Sequence, residues 1–165
     1  MKILHTADWH LGRQFEGTSL EQDHAAVLEQ IFAAVTTHAP DVLIVAGDIF
    51  DRAIPPETSV RQFNGFLSRV ASETETAIVL IAGNHDSGDR IGAWATLSDG
   101  RRSLVRGALS PTELPLILED AHGPVAVSAL PFGYERSAQE IFANPEIKSP
   151  EDVVRAQLAA ARTHI

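Results

Sequence analysis

Polar and apolar positions along the chain follow two alternating periods. Lys2 to Ala7 reads as a short strand, and Glu21 to Thr37 carries Val27, Leu28, Ile31, Phe32 and Val35 on one helical face. The run Asp41-Val42-Leu43-Ile44-Val45-Ala46 is apolar without interruption, which suits a strand buried on both faces. The pattern then repeats. Glu57 to Glu73 lines up Val60, Phe63, Leu67, Val70 and Ala71 as a helical stripe, and Ala77 to Ala82 forms the next buried strand. Strands alternating with helices predict an α/β fold in which right-handed crossovers build a mostly parallel sheet covered by helices. Past residue 90 the signals weaken. Ile91, Trp94 and Ala95 indicate a short helix, Val125 to Leu130 a further strand, and Ser149-Pro150-Glu151-Asp152 opens a last helix with a serine cap and proline in its first turn. The stretch from Gly100 to Gly107 reads as the most flexible loop.

The three buried strands end in unusual company. The first runs into Asp8-Trp9-His10, the second into Gly47-Asp48-Ile49-Phe50-Asp51-Arg52, and the third into Gly83-Asn84-His85-Asp86. A turn explains Gly83 and Asn84, which tolerate positive φ, but it does not explain His85. In parallel α/β sheets ligands bind beyond the carboxyl ends of the strands, so the three loops are expected to meet in one crevice. Asp8 and His10, two apart on an extended backbone, would project to the same side and suit one metal ion. Asp48 has two oxygens with which to bridge two cations, and Asn84 adds a neutral carbonyl oxygen. Each motif alone is a common turn or cap. All three in order, each after a buried strand, form a coherent site.

Composition narrows the chemistry. The 165 residues, 44% of them hydrophobic, fit one domain with one core. With 22 acidic against 13 basic residues the net charge is -9, which disfavours partners held by bulk positive charge, naked nucleic acid included. There is no cysteine, so a metal must be held by oxygen and imidazole, a donor set that favours Mn²⁺, Fe²⁺, Mg²⁺ or Zn²⁺. The N-terminus lacks a signal-peptide core and no apolar run approaches the roughly 18 residues of a membrane span, so a cytoplasmic protein without membrane contact is expected. Two such ions activate water and neutralise phosphoryl oxygens, which leaves a proton donor for the leaving group to be supplied. His85 is the natural candidate.

These motifs, Asp8-x-His10, Gly47-Asp48-x-x-Asp51-Arg52 and Gly83-Asn84-His85-Asp86, resemble the first three signatures of the calcineurin-like metallophosphoesterases. The wording "ILHTADWHLG", "IVAGDIFDRAIPP" and "IAGNHDS" is similar to the SbcD-type nuclease subunits of double-strand-break repair, over roughly residues 2 to 100. The resemblance implies the N-terminal part of a metallophosphoesterase sandwich with two Mn²⁺ ions. In it Asp8 and His10 bind one metal, Asp48 bridges, Asn84 binds the second and His85 acts on the scissile phosphate. By likeness to the related protein phosphatases, Asp51 orients the catalytic histidine and Arg52 binds phosphate. The implied partners are DNA ends and hairpins, an SMC-like coiled-coil ATPase and a second copy of the chain. Two other readings stand beside the nuclease: a phosphatase or cyclic-nucleotide phosphodiesterase on the same fold, and a non-catalytic structural or dimerisation module.

The family completes its metal sites with a further histidine and a Gly-His-x-His loop. After His85 this chain has only His122, in a turn-like Asp-Ala-His-Gly-Pro, and His164, at the end of a helix. Residues 1–165 are therefore expected to be an incomplete nuclease domain, without the capping domain and partner-binding tail of that family. Arg101, Arg102 and Arg106 form the one basic cluster and offer either a DNA contact or a solvated loop. His5 and Ser87 flank the site in supporting or structural roles, Trp9 packs into the sheet or walls the cleft, and Phe66 and Trp94 serve the core or a dimer contact. His24 and His38 have nothing to coordinate.

Overall fold

The computed structural model describes residues 1–97 and 102–163. Arg101 and His164 lie outside the described residues. Four strands form one parallel sheet: β1 (Ile3–Thr6), β4 (Val42–Ala46), β5 (Ala77–Ile81) and β6 (Ser103–Arg106), in the order β1-β4-β5-β6. Between β1 and the first long helix lies a two-residue antiparallel pair, β2 (Gln14–Phe15) with β3 (Thr18–Ser19). Helices α1 (Glu21–His38) and α2 (Glu57–Glu73) are the crossovers, so the predicted alternation holds. The register, Ile3 opposite Val42 and Val42 opposite Ala77, brings the carboxyl ends of β1, β4 and β5 to one edge of the sheet.

Side-chain alternation along the strands divides the core into two layers. Leu43, Val45, Ile78 and Leu80 face α1 and α2, where they meet Leu28, Phe32, Val35, Phe63, Phe66 and Val70. Val42, Val79 and Leu104 face the other way, onto an antiparallel hairpin of β7 (Leu116–Asp120) and β8 (Gly123–Val127). Val27, expected on the buried stripe of α1, is 46% exposed, because the stripe runs through Leu28, Phe32 and Val35 instead. Phe66 is 5% exposed, and Trp94 stacks on Phe50 and meets Phe63 edge-on. Both belong to the core of the monomer.

Three expectations are corrected here. β1 is an edge strand whose Ile3 and His5 are exposed, not a strand buried on both faces. Within the expected loop from Gly100 to Gly107, residues 103–106 are instead the fourth parallel strand, pairing Ile78 with Ser103. Four residues beside three arginines give too short a pattern to stand out. Arg106 owes its place to tertiary contact, since its Nε donates to Glu113 Oε2 at 2.5 Å and Glu113 is 1% exposed. The expected strand at Val125 to Leu130 is β8, two residues earlier at its start, and its partner β7 is an addition, despite the in-out alternation of Leu116, Ile117, Leu118 and Glu119.

Beyond the sheet, α3 (Gly88–Ala93) continues as a single turn of tighter helix over Trp94–Leu97. Ser87 caps α3 by accepting from Arg90 N, a structural role. The last elements are α4 (Glu135–Ile141) and α5 (Pro150–Arg162). α5 opens as predicted, with Ser149 Oγ accepting from Asp152 N and Pro150 at its first position. His122 sits in the β7–β8 turn, its N–H donating to Asp120 Oδ1 at 2.7 Å. No described helix is long and apolar enough to cross a membrane. Glu113→Ala should leave the Arg106 guanidinium with only the carbonyls of Val105 and Leu114 and lower unfolding free energy by roughly 1–3 kcal/mol, read by urea denaturation; no measurable loss would show the pair to be dispensable.

Candidate metal centre

The site is built by main-chain pairing that outlasts the strands. Asp8 N donates to Gly47 O at 3.1 Å, His10 N to Asp48 O at 2.9 Å and Leu11 N to Ile49 O at 2.9 Å. The chain returns the contact through Asp51 N to Leu11 O at 3.2 Å. The two ligand-bearing loops are thus locked in register. Within them Asp8 (φ 57°), His10 (φ 46°) and Asp48 (φ 49°) all adopt the left-handed conformation, which is costly for residues with a Cβ. The convergence of Asp8 and His10 comes from these turns, not from the extended backbone that spacing implied. The same turns send Trp9 and Leu11 into the core, where Trp9 packs edge-on against Phe66 and Phe63 and donates to Thr6 Oγ1 at 2.8 Å. Among the described residues, three of the six positive-φ positions other than glycine fall on Asp8, His10 and Asp48, and such strain is frequent at ligand sites.

The third loop is fastened to the second by Asp86. Its carboxylate accepts from Phe50 N at 2.9 Å, Ile49 N at 3.1 Å and Gly83 N at 2.9 Å. Glycine is required at 83 because a Cβ there would lie 2.0 Å from Asp48 Oδ1 and 2.3 Å from Asp48 N. Gly47, at φ 88°, completes the contact, its absent Cβ facing the Gly83 Cα. The local sequence gives Asp86 only a turn-closing part. Nothing in that pattern reveals that its acceptors serve a loop 36 residues away.

Asp8, His10 and Asp48 come together at the ends of β1 and β4. His10 Nε2 lies 4.0 Å from Asp8 Oδ1 and 3.9 Å from Asp48 Oδ2. The three donor atoms lie within 4.8 Å of one another, a separation from which they can converge on one cation. Asp8 remains 73% exposed, while Asp48 is 13% exposed, so the inner wall is fixed and the outer ligand faces solvent.

His10, Asp51 and His85 form a second cluster with donor atoms as close. It shares the His10 ring, and a ring cannot hold ions through both nitrogens without losing its last proton. His10 Nδ1, buried and without a hydrogen bond, lies 3.6 Å from Asp51 Oδ1, while its Nε2 faces Asp8 and Asp48. His85 Nδ1 is 2.9 Å from the main-chain carbonyl of Asp51, and His85 N donates to Asp48 Oδ1 at 3.0 Å. The resemblance places the Asp51 side chain on His85; the contact is made by its backbone instead, and the carboxylate turns to His10. The Asp51 carbonyl holds the exposed His85 imidazole above its ordinary pKa; desolvation opposes this, and the carboxylates of Asp48, Asp51 and Asp86 add to it. Asn84 is exposed at the end of β5 and borders a neighbouring cleft with Gly83 and Asp86; Arg52 is exposed on the loop before α2. Arg102 is turned away from the site, donating to Thr74 O and pairing with Glu75, so the expected basic cluster offers no continuous surface among the described residues.

Hard oxygen and imidazole donors thus meet at the carboxyl edge of a parallel sheet, with His85 beside them. Residues 1–149 match the calcineurin-like phosphoesterases, and the chain belongs to that family, whose fold binds divalent metal. It is similar to the D component of the SbcCD nuclease from Staphylococcus saprophyticus, 30% identical over 159 residues, which cover 96% of this chain and 41% of that protein. Its Bacillus subtilis counterpart is 36% identical over 146 residues, 87% of this chain and 37% of its own length. The Escherichia coli K12 counterpart is 42% identical over 101 residues, 61% of this chain and 24% of its own. The chain thus spans less than half the length of these relatives.

Gly83→Ala should push Asp48 out of place and weaken Mn²⁺ binding roughly 10- to 100-fold. Gly65→Ala, on open helix surface, should leave binding unchanged and stabilise the fold by about 0.5–1 kcal/mol. Calorimetric titration of both variants with Mn²⁺ checks this, and equal affinities would show that the glycine contact does not position Asp48.

Proposed function

We propose that this chain is the metal-holding part of a nuclease subunit that hydrolyses phosphodiester bonds at DNA ends and hairpins with two Mn²⁺ ions. The observation that carries the reading is the hold on His85. One contact fixes its backbone to the Asp48 carboxylate, and another directs its Nδ1–H at the Asp51 carbonyl, leaving Nε2 free at the mouth of the site. Asp8, His10 and Asp48 would hold one ion, and Asp48 with Asn84 the other. The ions supply Lewis-acid stabilisation of phosphoryl charge and activation of water when bound. The chain's own part in the chemistry is proton transfer. His85 gives its Nε2 proton to the departing ester oxygen, while Asp51 keeps the His10 and His85 rings in their orientations. Arg52, exposed beside these groups, is free to turn to a phosphate oxygen of the substrate.

The reading carries a cytoplasmic location, an SMC-like coiled-coil ATPase as partner and a homodimer, all on the likeness to SbcD-type proteins. It also includes donors for the second ion that lie outside these residues, since Asp48 and Asn84 alone give two of the roughly six that Mn²⁺ takes. Preferential turnover of small phosphomonoesters would favour a phosphatase, and loss of all metal binding would favour a structural module.

His85→Ala should leave Mn²⁺ binding intact and lower DNA hydrolysis roughly 100- to 10,000-fold; parallel losses of metal and rate would make it a ligand instead. Asp48→Asn should weaken both ions together and Asp8→Asn chiefly one, read from Mn²⁺ occupancy in soaked crystals. Full occupancy of either ion in Asp48→Asn would end the bridging assignment. Digestion of linear duplex DNA should be at background for residues 1–165 and metal-dependent for a chain extended to the relatives' length. Cleavage by the short chain, abolished by His85→Ala, would show that further ligands are dispensable.

A further inference from the structure

Next to the metal centre lies a cleft of about 250 Å³, bordered on one side by Gly83, Asn84 and Asp86 and on the other by Phe132, Gly133 and Tyr134. Its outer wall is aromatic. Phe132 is 45% exposed and Tyr134 63% exposed, and their rings meet edge-to-face at 4.9 Å and 88°. Large exposed aromatics on a frayed loop would carry no meaning, but this loop is fixed. Phe132 N donates to Ala82 O at 2.9 Å, which ties the aromatic segment to the residue before the Gly83-Asn84-His85-Asp86 signature. The buried Pro131 accepts from Gln157 Nε2 through its carbonyl at 3.2 Å, and Gly133 is packed so closely that a Cβ would lie 2.4 Å from Leu109. A rigid segment thus presents two rings to solvent within the same cleft as a proposed metal ligand.

We infer that Phe132 and Tyr134 form a stacking platform for one unpaired nucleobase of the strand whose phosphate reaches the metal centre. The inference rests on the nuclease reading and names the part of the substrate that the cleft recognises. Charge supports a base over a backbone contact. The chain carries a net charge of -9, so general attraction of phosphates is poor. Stacking on an aromatic face does not depend on net charge and is tolerant of sequence. An edge-to-face pair braces each ring with the other and leaves an outer ring face on which one base can stack. A splayed or single-stranded end supplies such a base; the interior of an intact duplex does not.

The test uses the full-length protein and two single-stranded oligonucleotides of the same length, one unmodified and one with abasic terminal nucleotides. Binding is followed by fluorescence anisotropy without Mn²⁺, and cleavage with it. The wild type should bind the unmodified strand roughly 10- to 100-fold more tightly than the abasic one. Phe132→Ala and Tyr134→Ala should remove that preference while leaving affinity for the abasic strand, Mn²⁺ binding and the melting temperature unchanged. Phe132→Leu, which keeps apolar bulk without a ring face, should lose the preference as well, and Tyr134→Phe should keep it. Retention of the preference in both alanine variants would overturn the platform. So would equal loss of affinity for both strands, or a fall in melting temperature, which would assign the rings to a contact with another part of the protein. Absence of cleavage of any strand by the wild type would instead sink the nuclease reading, independently of the binding preference.

Discussion

The site depends first on one carboxylate that touches no substrate. Asp86 gathers three main-chain N–H groups, two from the loop after β4 and one from its own, and so holds the strand ends at a separation that only glycine at 83 permits. Each of those donors would cost roughly 1–3 kcal/mol if left buried and unmatched. A carboxylate is suited to the task because its two oxygens serve both loops at once. An amide would lose one acceptor, and a longer side chain would force the loops apart.

On that frame the protein can hold its ligands in conformations they would not choose. Three left-handed residues in two short loops cost of order 1–3 kcal/mol each, and the continuous backbone pairing from Asp8 to Leu11 with Gly47 to Asp51 offsets that cost. The burial of Trp9 and Leu11 contributes further, because the turns that expose Asp8 and His10 are those that drive their neighbours inward. Core packing and ligand geometry are therefore the same structural fact. A substitution that loosens Trp9 from Phe66 acts on the metal site through the backbone, without touching a ligand.

Division of labour within Asp51 follows from the same geometry. Its carboxylate faces the buried Nδ1 of His10 at 3.6 Å. Its carbonyl takes the Nδ1–H of His85. One residue thus touches both the His10 and the His85 ring, and the two rings, perpendicular with centroids 4.9 Å apart, keep their relation to each other.

By itself the sequence determined the elements whose signal is long and periodic, and the chemistry that depends on residue type. β4, α1, α2 and β5 were legible because each repeats its pattern over several turns or pleats, and Asp8, His10, Asp48 and His85 because polar residues after buried strands have no packing role. The tertiary structure decided what local pattern cannot carry. β6 exists because β5 offers an unpaired edge and Glu113 neutralises Arg106, and the β7–β8 hairpin because one face of the sheet needs a cover. Asp86 became a fastening and Asp51 a double support only once loops some 35 residues apart were brought into hydrogen-bonding distance. Residue type fixes which bonds can form, but which groups meet is decided by the cooperative packing of segments distant along the chain.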